Sequence, residues 1–256
     1  MNIFIHFLIS FKFISLVPSV TETFYLLGAQ DSLLAISHYC NYPEETREKA
    51  RVGDLLNPDY EKILKIKPDF VIITLPMQKQ VSRNLEKIGI PCITFNPESL
   101  EEILNMIDSL AGLTGQTKRG KIVTDSLKNL LSEVRPLNKR PSAYIELSEN
   151  PLYTPGGPSF ITEVFSFAGA SNIFSDKEQP YFVPVQEEII KRNPDFIFLI
   201  YPGANRKKVE KRFGWKSVNA IKRNRIYTLD PDLYTRPGPR IFGAIVKLNR
   251  LLQTSF

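Results

Sequence analysis

A thirteen-residue segment occurs twice in this chain, and no other feature restricts its architecture as strongly. Glu61-Lys-Ile-Leu-Lys-Ile-Lys-Pro-Asp-Phe70-Val-Ile-Ile returns 126 positions later as Glu187-Glu-Ile-Ile-Lys-Arg-Asn-Pro-Asp-Phe196-Ile-Phe-Leu. Glu, Ile, Lys, Pro, Asp and Phe coincide, and the other apolar positions of the strand exchange only among apolar residues. Each copy reads as a short helix, a proline-aspartate break and a buried strand. Proline ends the helix, and its fixed φ sends the chain on in extended form. A period of nearly half the 256 residues is too long for a solenoid unit and fits two similar α/β lobes.

The rest of the chain keeps that alternation. Apolar runs of strand length fall at 11–17, 33–37, 70–75, 92–95, 142–147, 196–200 and 226–229. Helix-like stretches fall at 20–28, 59–66, 79–88, 100–113, 160–168, 185–192 and 240–252. Strands separated by helices predict βαβ units and mainly parallel sheets. Ser19 with Glu22 three residues on has the spacing of a capping box, and Gly28 closes that helix. Asn57 before Pro58 predicts a second cap. Between the repeats, Ile122, Leu127, Leu130, Leu131 and Val134 form an apolar stripe over 117–135. Such a helix reaches roughly 30 Å. It serves either as a stiff connection between lobes or as a surface helix packed on one of them. The expected organisation is an N-terminal α/β lobe over 1–113, a linking backbone helix over 114–136 and a C-terminal α/β lobe over 137–256.

Composition removes several classes of function. The formal net charge is +6, but the basic residues are interleaved with acids. The densest groups are Arg206-Lys207-Lys208 with Lys211-Arg212, and Lys222-Arg223 with Arg225. Beside helix ends these read as solvated faces, and nucleic acid is not an expected partner. Cys40 and Cys92 match no zinc spacing and build no disulfide framework. Cys92 lies in an apolar strand, Cys40 in a polar, aromatic loop. With only His6 and His38 in the chain, Ser-His-Asp or Cys-His chemistry would have to use one of them. No G-x-G-x-x-G follows the first strand, where Ser15-Leu-Val-Pro-Ser-Val-Thr-Glu22 stands instead. Thr154-Pro-Gly-Gly-Pro-Ser159 reads as a turn with Pro158 in the first helical turn, its amides as an anion grip being the alternative. Residues 1–10 are apolar but too short to span a bilayer, and they lack a basic region. They fit an export-signal remnant, a misassigned start or an extra strand. No enzyme activity, metal site or cofactor is expected.

What accumulates instead is aromatic loop sequence after the strands: Tyr39, Tyr42, Tyr153, Tyr181, Phe182, Trp215 and Tyr234. Ligands of open α/β sheets bind beyond the carboxyl ends of the strands, and aromatic rings suit a large, partly apolar ligand.

The segments Ser15-Leu-Val-Pro-Ser-Val-Thr-Glu22, Tyr39-Cys-Asn-Tyr-Pro43, Val52-Gly53 and Lys67-Pro-Asp69 resemble the first lobe of the class III periplasmic substrate-binding proteins. Tyr153-Thr-Pro-Gly156, Gly169-Ala-Ser-Asn-Ile173, Asn193-Pro-Asp195 and Asp232-Leu-Tyr-Thr-Arg-Pro-Gly-Pro-Arg240 resemble the second. These are receptors of importers for vitamin B12, haem and iron-siderophores, and the likeness, over 11–252, is strongest to the cobalamin (vitamin B12) branch. The resemblance implies two Rossmann-like α/β lobes joined by one long rigid helix, with a ligand cleft between them. It implies capture of cobalamin or a related corrinoid and delivery to a dimeric ABC permease, by a monomer in the periplasm or outside the cytoplasmic membrane. It further implies that Tyr39, Leu55, Tyr153, Tyr181, Trp215, Tyr234 and Arg236 line the cleft. Leu55 stands where an aromatic is expected, and Tyr181 replaces a tryptophan. Glu61 and Glu187 match the acids that dock into basic pockets of the permease. Either alone is explained by the helix macrodipole, whereas two equivalent acids suit a partner with twofold symmetry. The alternatives are a haem or ferric-siderophore receptor, with a tyrosine or His38 on iron, and a bilobed metallocluster enzyme. The second would need more cysteines and histidines than two of each.

Overall fold

The computed structural model describes residues 11–255. The run at 1–10, with His6, lies outside the described residues. The chain falls into two compact units, one made of the residues up to Pro97 with Glu101–Ser126, the other of Glu98–Leu100 with the residues from Leu127 onward.

The first unit carries strands β1 (Phe13–Ser15), β2 (Leu33–Ile36), β3 (Ala50–Arg51), β4 (Phe70–Ile73) and β5 (Cys92–Thr94). They pair in the order β3-β2-β1-β4-β5, every pair parallel. Strands buried on both faces need continuous apolar sequence, which the runs of β1, β2 and β4 supply. Ile14, Leu16, Ala35, Val71 and Ile73 pack with Ile63, Val81 and Leu85 into one core cluster. Helices α1 (Pro18–Leu26), α2 (Tyr60–Ile66), α3 (Lys79–Lys87) and α4 (Leu100–Leu113) follow in chain order. Helix α5 (Thr117–Leu131) begins in this unit, and the division between the units falls within it.

The second unit has a four-stranded parallel sheet in the order β12-β11-β6-β9, from β6 (Ser142–Glu146), β9 (Ser171–Asn172), β11 (Phe196–Leu199) and β12 (Ile226–Thr228). An antiparallel ribbon of β7 (Ser148–Glu149), β8 (Leu152–Pro155) and β10 (Tyr181–Phe182) accompanies it. The helices are α6 (Phe160–Ala168), α7 (Gln186–Arg192), α8 (Arg206–Glu210), α9 (Asn219–Lys222), α10 (Pro231–Tyr234) and α11 (Arg240–Ser255). Both sheets are parallel α/β layers, as the alternation of the sequence requires, with the ribbon as an unforeseen addition.

The repeat is a repeat of geometry as well as of letters. Its copies are α2–β4 and α7–β11, and each helix ends on a left-handed residue, Lys67 (φ 55°) or Asn193 (φ 46°). The proline follows, and then the aspartate clamps the start of the neighbouring strand. Asp69 accepts from the Lys12 amide at 2.7 Å and returns its own amide to the Lys12 carbonyl at 2.8 Å. Asp195 accepts from the Ser142 amide and hydroxyl at 3.1 and 3.0 Å and donates to the Ser142 carbonyl at 2.9 Å.

Two expected caps and one expected helix start lie elsewhere. Helix α1 starts at Pro18 with no side-chain cap, and Ser19 is buried inside it, so the capping box does not form. The proline at the first position starts the helix by its preset φ, its missing amide being one that a helix start leaves unbonded anyway. Asp59, not Asn57, caps α2 by accepting from the Lys62 amide at 2.9 Å. Pro58 is drawn instead into a bridge with Gly53, whose φ of +89° and close approach to the Asn57 carbonyl leave no room for a Cβ. Ser159 caps α6 by accepting from Thr162 at 3.1 Å, which puts Pro158 ahead of the cap rather than in the first turn. The 117–135 stripe gives a helix ending at Leu131.

One buried ion pair holds the far side of the second unit. Glu146, fully buried at the end of β6, takes both nitrogens of the Arg212 fork at 2.5 and 2.8 Å and the Tyr201 hydroxyl at 2.9 Å. The Arg212 guanidinium lies 4.8 Å from the Trp215 ring. Burial, and then the Glu146 charge, push the Tyr201 phenol above its usual range. Removing one partner of a buried pair strands the other charge. Glu146→Ala is expected to lower unfolding stability by about 3–5 kcal/mol, read as a shifted urea midpoint. A loss below about 1 kcal/mol, the range of an exposed pair, would contradict this account.

Candidate functional site

In the first unit, the loops after β2 and β3 are tied down by their own backbone groups. Arg51 donates to the carbonyls of Ser37, Cys40 and Thr46 at 2.7, 2.8 and 2.9 Å. Asp54 accepts from the amides of Leu56 and Asn57 at 2.8 and 2.7 Å, and those bonds hold its carboxyl below the usual range. The Gln78 side chain reaches the Leu55 carbonyl at 2.6 Å. With the backbone occupied, the side chains are what the loops present. Tyr39 is 55% exposed, Tyr42 and His38 are exposed, and Leu55 is half-buried. Cys40 does not belong to this surface. Its sulfur is buried 3.1 Å from the Thr21 hydroxyl and 3.2 Å from that of Ser37, and burial pushes the thiol up. Cys92 is only partly buried.

In the second unit, the antiparallel register of β8 and β10 sets Tyr181 against Pro155 and Phe182 against Thr154. That pairing stacks the Tyr153 and Tyr181 rings 6.0 Å apart at an interplanar angle of 18°. Tyr153 is 39% exposed and Tyr181 half-buried. Burial, then Tyr153 and Glu98, raise the Tyr181 phenol, so its hydroxyl stays a donor near neutrality.

Three residues expected to line the cleft are otherwise engaged. Trp215 is fully buried in the core, edge-on to Tyr144 at 5.9 Å, and its indole donates to Gln186 at 3.1 Å. It offers no face to a ligand. Tyr234 is 5% exposed, and its hydroxyl donates to the Ala244 carbonyl at 3.2 Å, fastening α10 to α11. Burial raises its pKa to about 12. Arg236 pairs with Asp232 at 2.6 Å and is mostly buried. Loop sequence carries no mark of which way a ring or guanidinium faces, and tertiary packing turns these three inward.

Glu61 and Glu187 occupy the second position of α2 and of α7. Both are exposed, and neither has a salt-bridge partner among the described residues. The sequence reading missed the Glu146–Arg212–Tyr201 network. Its only visible sign was an acid closing an apolar strand. It also missed Phe213, which stands 98% exposed. Among the described residues no cluster of three or more His, Cys, Asp or Glu side chains suits a metal ion, and no helix is long and apolar enough to cross a membrane.

A family model described as periplasmic binding protein matches residues 14–233. The uncharacterized ABC transporter substrate-binding lipoprotein YvrC of Bacillus subtilis is 33% identical over 248 residues, covering 93% of this chain and 78% of its own length. The vitamin B12-binding protein of Vibrio parahaemolyticus is 28% identical over 244 residues, covering 93% and 87%. Among solved structures, a possible iron-binding periplasmic solute-binding protein of Staphylococcus epidermidis superposes with a TM-score of 0.83 at 29% identity, covering 94% of this chain and 98% of its own. The vitamin B12 binding protein of Vibrio cholerae gives 0.80 at 27%, covering 95% and 97%. Proteins of this kind bind rather than transform their ligands. A family match over most of the residues, joined to an ABC transporter relative spanning nearly the whole chain, makes this protein a member of the periplasmic binding protein family and a substrate-binding component of an ABC transporter.

Proposed function

We propose that the protein captures cobalamin or a related corrinoid outside the cytoplasmic membrane and delivers it to a dimeric ABC permease. The observation that carries the reading is the stacked, partly exposed Tyr153–Tyr181 pair. Two nearly parallel rings with polar hydroxyl tips suit a wide, partly apolar ligand that also forms hydrogen bonds. Tyr39 and Leu55, each on a loop of the first unit, are the further candidate ligand contacts. The B12-binding relatives lend support through their likeness over nearly the whole chain. Helix α5, in the segment 114–136, is the stiff connection, and Glu61 and Glu187 are the contacts with the permease. Their equal positions on repeated helices and their lack of partners among the described residues favour that role over macrodipole compensation, which needs no symmetry.

A second reading keeps the class and exchanges the ligand for haem or a ferric chelate. It is favoured by the exposed His38 beside the exposed Tyr39, both competent iron ligands. Calorimetric titration with cyanocobalamin and, separately, with haemin decides between the two. Cobalamin binding is expected, weakened at least tenfold by Tyr153→Ala with Tyr181→Ala. Tight haemin binding that is lost in His38→Ala, with no heat from cobalamin, would establish the second reading in place of the first.

Docking is tested apart from binding. Glu61→Lys with Glu187→Lys is expected to abolish uptake of labelled ligand by cells while leaving ligand affinity within about twofold, since charge reversal at a rim acts on the partner encounter. Undiminished uptake by the double variant removes the docking role and leaves the ligand assignment untouched.

A further inference from the structure

The turn after α8 holds an apolar ring in water. Phe213 is 98% exposed, yet the residues around it are fixed from behind. Arg212 is gripped by the buried Glu146 carboxylate, and Trp215 is packed in the core with its indole on Gln186 of α7. Gly214 between them has φ +78° and sits against Ile190, which an added Cβ would approach to 3.0 Å. A side chain between anchors of this kind has little freedom to fold back onto the protein. The fold therefore presents the ring, against the ordinary tendency to withdraw it.

The cations of the same stretch are sorted in a way that bears on the partner. Arg206 pairs with Glu210 at 2.8 Å, Lys208 with Glu149 at 3.2 Å and Arg212 with Glu146. Lys207, Lys211 and Lys216 are exposed and have no carboxylate partner among the described residues. Lys207 and Lys211, four residues apart, fall on the side of α8 opposite the buried Val209. On α7, to which Trp215 is bonded through Gln186, the next residue is the exposed acid Glu187. We propose that Phe213 with Lys207, Lys211 and Lys216 forms a membrane-contact surface that places its ring among the headgroups of an anionic lipid leaflet. A single protruding ring lacks the cluster of apolar anchors that forms the core of a protein interface. A lone wedge ringed by long, flexible cations matches a fluid interface, where apolar insertion and attraction to anionic lipid add together. The surface is independent of which ligand is carried.

The purified full chain is mixed with vesicles of phosphatidylcholine alone and of phosphatidylcholine with phosphatidylglycerol, and the bound fraction is read by sedimentation. Binding is expected to the anionic vesicles only, to fall steeply at high salt, and to withstand inorganic phosphate at a concentration matching the lipid phosphate. Phe213→Ala is expected to reduce partitioning about fivefold to tenfold, and Lys211→Ala or Lys216→Ala about fivefold each. An unchanged urea midpoint in each variant confirms that the fold is intact. Equal binding to both vesicle types, no binding, or a Phe213→Ala variant that partitions like the parent overturns the proposal. If vesicles are ignored while Phe213→Ala impairs ligand uptake, the surface belongs to a protein partner and the lipid assignment likewise falls.

Discussion

A strand in the middle of a parallel sheet needs something to fix where it begins, because no tight hairpin sets its register. In both units that role falls to one aspartate. The proline before it has already stopped a helix, and the left-handed residue before the proline has turned the chain toward the sheet. The aspartate then exchanges backbone bonds with the first residues of the adjacent strand and adds its carboxylate to them. The registers of β1 with β4 and of β6 with β11 start from this point, and every other strand of each parallel sheet is laid down outward from those pairs. Placing α2 and α7 follows from the same junction, so residues at matching positions of the two helices stand in matching local surroundings.

Much of this was legible because it is local. A helix, a proline, an aspartate and an apolar strand are written contiguously, and the repeat advertises itself. The seven expected strands emerged within two residues of their bounds, since buried parallel strands are simply apolar, whereas the two-residue edge strands β3 and β9 are too short and polar to read. Caps were misassigned by one or two positions, because Asn57, Asp59, Ser19 and Ser159 all have capping side chains and only the backbone path selects among them. What sequence could not give was direction and long-range pairing. Trp215 and Tyr234 lie in loops, where no periodicity separates an inward ring from an outward one. The Glu146–Arg212 pair joins residues 66 positions apart. The stack of Tyr153 on Tyr181 depends on a register between two short strands that have almost no signature of their own.

The two units present side chains by different means. In the first, Arg51, Asp54 and Gln78 bond the polar backbone of the loops, and the Tyr39 and Tyr42 rings lie exposed at the surface. In the second, a ladder carries the exposed rings and a buried charge pair secures the segment beyond. Relatives named for vitamin B12 and for iron share this framework at TM-scores of 0.80 and 0.83. Such conservation of shape among proteins with differently named ligands is what a scaffold with separable surface loops allows.

The ribbon of β7, β8 and β10 has a consequence for how such a protein can change. Thr154, next to Tyr153, turns inward and donates to the Ile145 carbonyl at 2.7 Å, and the Tyr153 carbonyl itself accepts from Leu147. The main chain at this place is therefore secured without help from the phenol rings. On the proposed reading, selectivity and folding are governed by alternate residues of one strand, so a lineage can retune what it gathers from its surroundings by drift at the outward positions, with the scaffold indifferent to the outcome.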